Sequence, residues 1–245
     1  MKSQTLTRQE DVQQRLTGTI IGRIVGELVN PITVLNSNLQ IIHEQKEFVR
    51  ESASAEALDL CRDAMSELMV FLDRFAVIGR LRRREIEVKE RCFDLENFLE
   101  QIKNKLEQIP SYKRRVVLSV SKDIGNFKGD EFLLFWVIVS LLDNALKFSY
   151  GDVYLEAYVD EESLWIKVKD AGIGIDMEDK PRIFDLFHRG KNAEYLPGEG
   201  IGLAIVVEAL KLLKGKVYVD SDRNVSTSFK VKLPYECADK NIDHR

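Results

Sequence analysis

D-A-G-I-G-I at Asp170–Ile175, R-I-F-D-L-F-H-R-G at Arg182–Gly190 and G-E-G-I-G-L-A at Gly198–Ala204 are three pieces of one stretch around which the chain is organised. Asp170 closes an alternating pattern in which Leu164, Ile166 and Val168 share one face, which predicts a strand. Gly172 and Gly174 follow at once, so the chain must turn sharply or let a ligand approach its backbone. Gly198, Gly200 and Gly202 lead straight into an apolar helical run, Leu203 to Leu213. Glycines ahead of a helix start leave N–H groups uncovered and make an anion cradle. A carboxylate after a strand and such a nest before a helix point to a ligand with a base at one end and phosphates at the other. No Gly-Lys-Ser/Thr follows, so this is not a Walker loop. No strand runs directly into the second cluster, which makes it a poor dinucleotide fingerprint.

Working outward, Asp130–Ser149 reads D-E-F-L-L-F-W-V-I-V-S-L-L-D-N-A-L-K-F-S, an apolar helix whose end carries Asp143, Asn144 and Lys147. With that helix in place, the four motifs in this order and spacing resemble the ATP-binding domain of sensor histidine kinases. The resemblance extends upstream over nearly the whole chain. It implies ATP and Mg2+ as cofactors. Asp170 would accept a hydrogen bond from the adenine amine, with Gly172 and Gly174 letting the base lie against the backbone. Asn144 matches the family's magnesium-liganding asparagine, and an amide oxygen suits that hard ion. Lys147, one turn on, would face the phosphates or stand solvated at the helix end. Gly198, Gly200 and Gly202 match the phosphate loop and Leu203 the residue after it. Phe184 and Phe187 match an aromatic segment that packs a mobile lid, expected at Lys191–Pro197. Arg189 would reach the γ-phosphate or the opposite domain, or be a surface arginine. One departure stands out: Ser140 occupies the place of a first asparagine four residues before Asn144, and a hydroxyl is a shorter, weaker ligand.

Upstream, Ile20, Ile24, Leu28, Ile32, Leu35, Leu39 and Ile42 recur at helical spacing, with Pro31 expected to kink that helix. After a polar break at Arg50–Ser54, Leu58, Cys61, Met65, Leu68, Leu72 and Phe75 fall in 3-4-3-4-3 steps, a heptad seam. Two such helices bury their stripes by pairing with a second copy as a four-helix-bundle homodimer, or form a monomeric hairpin packed on the second domain. Gly79–Arg84 reads as a linker. Strands are expected near Ile86 and Val88, at Val116–Val120, Val153–Val159, Leu164–Lys169, Lys216–Ser221 and Ser228–Leu233, and Asp94 is expected to cap a helix from Leu95 to Ile109. The fold class is therefore α+β. A lead-in (1–15) precedes a helical dimerisation and phospho-acceptor-like domain (16–80), an α/β sandwich of the histidine-kinase ATPase type follows (81–235), and a loose tail (236–245) ends the chain.

The family's phospho-acceptor helix carries a motif resembling S-H-E-L-R-N-P-L-T. This chain reads V-G-E-L-V-N-P-I-T from Val25 to Thr33, with Gly26 at the acceptor position. Phosphoryl transfer needs an attacking lone pair, and glycine has no side chain to supply one. His43 would lie ~25 Å along the same helix at 1.5 Å per residue, and neither His188 nor His244 sits in an acceptor motif. The resemblance makes the residue matching Glu27 a general base. It makes the one matching Asn30 able to orient a water that hydrolyses an aspartyl-phosphate on a response regulator. The same two residues also read as an exposed polar face.

Three readings stay open. The chain is a signalling pseudokinase that binds Mg-ATP and acts as response-regulator phosphatase or heterodimer partner. It is an ordinary histidine kinase whose histidine was replaced at position 26. Or it is a docking scaffold that no longer binds nucleotide. The expected partners are a second copy, a receiver domain and another kinase or sensor protein. An ATP-driven clamp of the wider superfamily would need further domains.

The 245 residues carry 44% hydrophobic content, enough for two modest cores. A net charge of −4 lacks the basic excess of a nucleic-acid binder. Cys61, Cys92 and Cys237 fit no zinc or redox spacing, which favours a reducing compartment. No signal peptide is visible, and the longest apolar run, Phe132–Leu142, is about half of the ~20 residues a span needs. A cytoplasmic core without a membrane span is expected, with about 15 residues before it.

Overall fold

The computed structural model describes residues 28, 32–39, 51–109, 112, 115–160, 162–193, 195–196 and 198–235, without the side chains of 51–57 and 59. The chain divides into two compact units, Met1–Ala76 and Val77–Arg245.

In the first unit, residues 32–39 are helical and helix α1 begins at Glu51, ending within the second unit at Arg82. The polar break expected at Arg50–Ser54 is helix from Glu51 onward, and the linker expected at Gly79–Arg84 is helix as far as Arg82. Helix propensity explains the second difference, because Leu81 and the arginines around it are good helix formers and a single glycine costs only ~1 kcal/mol. The Pro31 kink, Gly26, Glu27, Asn30, His43, the lead-in and the tail lie outside the described residues.

Cys61, Ala64 and Phe71 form the buried stripe of this unit's part of α1. The Cys61 thiol points to Leu35 O at 3.8 Å, which joins α1 to the 32–39 helix. The heptad seam does not lie wholly on the buried side. Leu58, Met65, Leu72 and Phe75 are exposed, as is Met69. The helix thus has one apolar stripe covered by its own chain and a second apolar ridge beside it that is not.

The second unit is built on a five-stranded sheet in the order β2-β4-β5-β7-β6, formed by β2 (Val116–Val120), β4 (Val153–Asp160), β5 (Ser163–Asp170), β6 (Lys216–Asp222) and β7 (Ser226–Pro234). β2 runs parallel to β4, and the other pairs are antiparallel. A separate two-stranded ladder pairs β1 (Arg91–Asp94) with β3 (Asn126–Gly129). Ile86 and Val88 lie in non-strand chain just before β1, and β3 was not foreseen because N-F-K-G alternates too briefly to signal a strand.

Period-two burial explains the sheet. Leu155, Leu164, Ile166, Val168 and Val231 are fully buried on one face, whereas Tyr154, Tyr158 and Tyr218 are exposed on the other. On that open face Trp165 stacks with Tyr158 (centroids 6.3 Å apart), meets Tyr218 at 5.8 Å and has Lys232 over its ring. Helices α2 (Leu95–Glu107), α3 (Glu131–Phe148) and α4 (Gly202–Leu212) supply the other half of the core, with Leu95, Leu99, Leu133, Leu134, Val137, Ile138, Leu141, Leu142 and Ile205 at 0% exposure. Asp94 caps α2 by accepting the Asn97 N–H at 2.9 Å, and Asp130 caps α3 by accepting that of Leu133 at 2.9 Å. At the other end of α3, the Arg115 guanidinium donates to the carbonyls of Leu146, Ser149 and Gly151. A cation there satisfies carbonyls that lack helical partners and complements the helix dipole. This bracket fixes the end of α3 that carries Asn144 and Lys147.

Candidate functional site

The turn after β5 is held on two sides. Ile173 N–H donates to Phe148 O at 3.1 Å, and Gly172 bridges to Ser149, so the turn is joined to the end of α3. A Cβ on Gly172 would lie 2.2 Å from Phe148 O and 2.7 Å from the Asp170 carboxylate, so only glycine fits. On the other side Asn224 N–H donates to Ile173 O at 2.8 Å and Ile175 N–H to the Ser221 hydroxyl at 3.0 Å. Gly174 has φ +64°, and a Cβ there would lie 2.2 Å from Asp222 O. The result is a rigid frame around Asp170.

Asp170 is 5% exposed. Burial raises its carboxyl to about 6, against a smaller lowering by the Gly172 N–H it accepts. Its cross-strand neighbour on β7 is Thr227, itself buried, whose hydroxyl lies 3.0 Å from that of Ser221. Since Ser221 donates to Ser226 O, Thr227 is the donor between the two hydroxyls. Sequence reasoning missed Thr227 and Ser221, because nothing in a single sequence says that β7 pairs beside Asp170.

The second glycine cluster closes against the aromatic segment. Phe187 N–H donates to Gly200 O at 2.7 Å. Gly200 has φ +68°, and its absent Cβ would lie 2.7 Å from His188 O. Phe187 is 3% exposed and itself left-handed at φ 63°. That conformation costs an ordinary residue about 1–2 kcal/mol, and it is held here by burial and the bond to Gly200. Phe184 packs edge-on to Phe229 at 6.5 Å.

The structure brings Asn144 and Gly202 together. A Cβ on Gly202 would meet Ser140 Cβ at 3.6 Å and Asn144 Oδ1 at 3.9 Å. The first turn of α4, which includes Leu203, therefore opens against the polar end of α3. The residue at the start of α4, Ile201, makes no side-chain cap hydrogen bond to its leading N–H groups. Ser140 is 2% exposed, and its hydroxyl has no hydrogen-bond partner among the described residues. Asn144 and this hydroxyl offer neutral oxygens suited to Mg2+, and no cluster of three acidic, histidine or cysteine side chains exists among the described residues. That donor set fits an ion held chiefly by a ligand's phosphates, the usual magnesium arrangement.

Two cations of the candidate set have partners within the protein. Lys147 Nζ lies 2.9 Å from Asp143, which also accepts the Tyr112 hydroxyl at 3.1 Å. Arg189 donates to the carbonyls of Ala193 (2.8 Å) and Leu196. Both are spoken for by neighbours that are close in sequence and cost little chain entropy to reach. Three further side chains near Arg189 were not anticipated. Asn192 donates to Gly174 O at 2.9 Å, and buried Asp179 accepts the Lys191 N–H at 2.9 Å. His188 Nε2 lies 3.3 Å from Asp179 Oδ1 without hydrogen-bond geometry. A groove lined by Arg80, Ile86, Lys89, Arg91, Glu131 and Phe132 lies at the opposite end of α3 and shares no residue with the glycine clusters.

A helical region followed by a mixed sheet backed by helices, with glycine turns at the end of β5 and ahead of α4, defines a histidine-kinase ATPase-type fold. Residues 129–236 match the sequence model of a family described as histidine kinase-, DNA gyrase B-, and HSP90-like ATPase. Over 237 residues the chain is 24% identical to the sensor protein kinase WalK of Staphylococcus aureus, covering 94% of this chain and 56% of that protein. Against WalK from individual strains the share falls to 38%, so the chain spans about half or less of the length of these curated relatives. Two solved structures share the fold. The Acinetobacter baumannii histidine kinase AdeS aligns at TM-score 0.63 and 22% identity, over 86% of this chain and 98% of that one. Full-length ShkA in complex with AMPPNP aligns at TM-score 0.65 and 22% identity, over 92% of this chain and 46% of that one. The matches show a helical region followed by an ATPase-type domain, similar to that of sensor histidine kinases. Among the described residues no helix is long and apolar enough to cross a membrane.

Proposed function

We propose that the chain is a cytoplasmic signalling protein of the histidine-kinase type that binds Mg-ATP and, with Gly26 in the acceptor position, does not phosphorylate itself there. The observation that carries ATP binding is the pairing of two features: a buried carboxylate framed by two obligatory glycines, and an uncapped helix start beside Asn144. In this reading Asp170 takes the adenine amine, and Gly198, Gly200, Gly202 and Leu203 present backbone N–H groups to the phosphates. Asn144 holds Mg2+, which would offset phosphate charge when bound. Lys147 and Arg189 are reserve cations that must leave Asp143 and the loop carbonyls to reach a nucleotide. Glu27 and Asn30 remain for a receiver domain, so the activity we favour is hydrolysis of a response regulator's aspartyl-phosphate or service as one half of a heterodimer. The parent kinase of an engineered Gly26 and the nucleotide-free scaffold are the other readings.

A calorimetric titration with a non-hydrolysable ATP analogue, with and without Mg2+, tests this. Saturable binding strengthened by the metal is expected, and no saturation at millimolar nucleotide leaves the scaffold.

The uncovered ridge of Leu58, Met65, Met69 and Leu72 supports dimerisation through the helical region, because a second copy would take that apolar surface from water. Leu72→Glu is expected to convert the dimer to monomer in analytical ultracentrifugation while leaving nucleotide affinity unchanged. A wild type that is already monomeric would remove the bundle.

A further inference from the structure

We infer that Asn192 is a positioning residue that clasps the loop after Arg189 to the D-A-G-I-G turn, so that the phosphate side of the site takes its position from the base side. The meaning of the two sides rests on the nucleotide reading above. The clasp itself does not.

Asn192 and Gly174 are 18 residues apart, yet the Asn192 Nδ2 donates to Gly174 O at 2.9 Å, with Ile173 O at 3.4 Å. The acceptor is fixed. Gly174 is left-handed and pressed so closely on Asp222 that no side chain fits. The donor is fixed as well. Asn192 belongs to a short 3-10 turn, Lys191–Ala193, whose first N–H is taken by buried Asp179 at 2.9 Å. Gly190 lies in the crook between them, where a Cβ would lie 3.1 Å from both Asn192 Oδ1 and Asp179 Oδ2. Arg189 closes the loop's far side through the carbonyls of Ala193 and Leu196. The exposed Lys191–Glu178 pair (2.7 Å) adds little, because such pairs are screened by solvent. Among these contacts the Asn192 amide is the one that reaches the turn following Asp170. A base seated on Gly172 and Gly174 would therefore hold Gly174 O in place, and with it the loop that must close over the phosphates.

The clasp is made of protein atoms alone, so it is tested without nucleotide. Amide hydrogen exchange would be followed by mass spectrometry on peptides spanning Arg189–Leu196 in the whole chain, comparing wild type with Asn192→Ala and Asn192→Asp. The aspartate keeps the shape but sets an acceptor against a carbonyl. Loss of one neutral hydrogen bond predicts exchange about three- to tenfold faster in both variants, with α3 peptides unchanged. The AMPPNP dissociation rate should rise by the same factor while adenosine dissociation does not, a split that a merely structural role would not give. Unchanged exchange in both variants overturns the clasp, whether or not nucleotide binds. Faster exchange with an unaltered AMPPNP off-rate overturns the positioning role. Faster exchange in a protein that takes up no AMPPNP supports the clasp and removes the nucleotide reading.

Discussion

Asp170→Ala is expected to weaken binding of an ATP analogue between about tenfold and a hundredfold, the range for loss of a hydrogen bond to a charged group. The loss should appear for adenosine as well as ATP, since the carboxylate would meet the base and not the phosphates. Titration calorimetry on both ligands checks it, and equal affinities for wild type and variant would place the base elsewhere. The pH dependence follows from the same group. Its carboxyl sits at about 6 because burial disfavours the charge. If binding needs the ionised form, affinity is level above pH 6 and falls about tenfold for each pH unit below it. Folding stability carries the opposite sign. The folded-state value exceeds the ordinary 3.8, so the native protein binds the extra proton and stability declines as pH rises from 3.8 to about 6. Above that window the ionised, buried carboxylate is a standing penalty. Asp170→Asn, which keeps the shape, should therefore melt no lower than wild type at pH 7.5 and lose that advantage near pH 4, even as it loses ligand. A site residue that destabilises its own fold is common where function opposes stability.

The second large effect is a gain. Gly26→His should change labelling from [γ-32P]ATP from nothing to an acid-labile phosphohistidine. The substitution supplies a nucleophile at the position matching the family's acceptor, next to Glu27, the base in the proposed reading. Absence of label in a variant that still binds Mg-ATP would place the defect in metal handling, with Ser140→Asn as the natural second change. Label appearing in the wild type would overturn the assignment of Gly26 as a vacant acceptor.

The glycine clusters were legible because they satisfy a local rule. Gly172, Gly174 and Gly200 each stand where a side chain would meet backbone, and such positions read directly from a single chain. The strands of the large sheet were legible from their alternation. What failed did so where local pattern and long-range pairing disagree. Gly79 lies inside a helix that continues to Arg82, because one glycine is too weak a breaker among strong helix formers. Met65 and Leu72 stand exposed beside the covered stripe of Cys61, Ala64 and Phe71, which leaves part of the heptad seam open to the second copy proposed above. The partners of Lys147 and Arg189, namely Asp143 and two loop carbonyls, are contacts that the sequence alone did not display. Asn192 and Thr227 were invisible, since each depends on a partner brought near by the fold and not by sequence.

The open face of the sheet has an optical consequence. The protein has two tryptophans, and Trp165 lies on β5, the strand that ends at Asp170. Tyr158 and Tyr218 flank it within Förster range, and Lys232 sits over its ring. Excitation of the tyrosines should therefore be harvested by this indole, and its emission should redden when β4, β5 and β7 separate. Trp136 reports separately from α3, where Phe132 and Phe135 contact it. Replacing either indole with phenylalanine leaves a one-colour probe of strand or helix, without any attached dye.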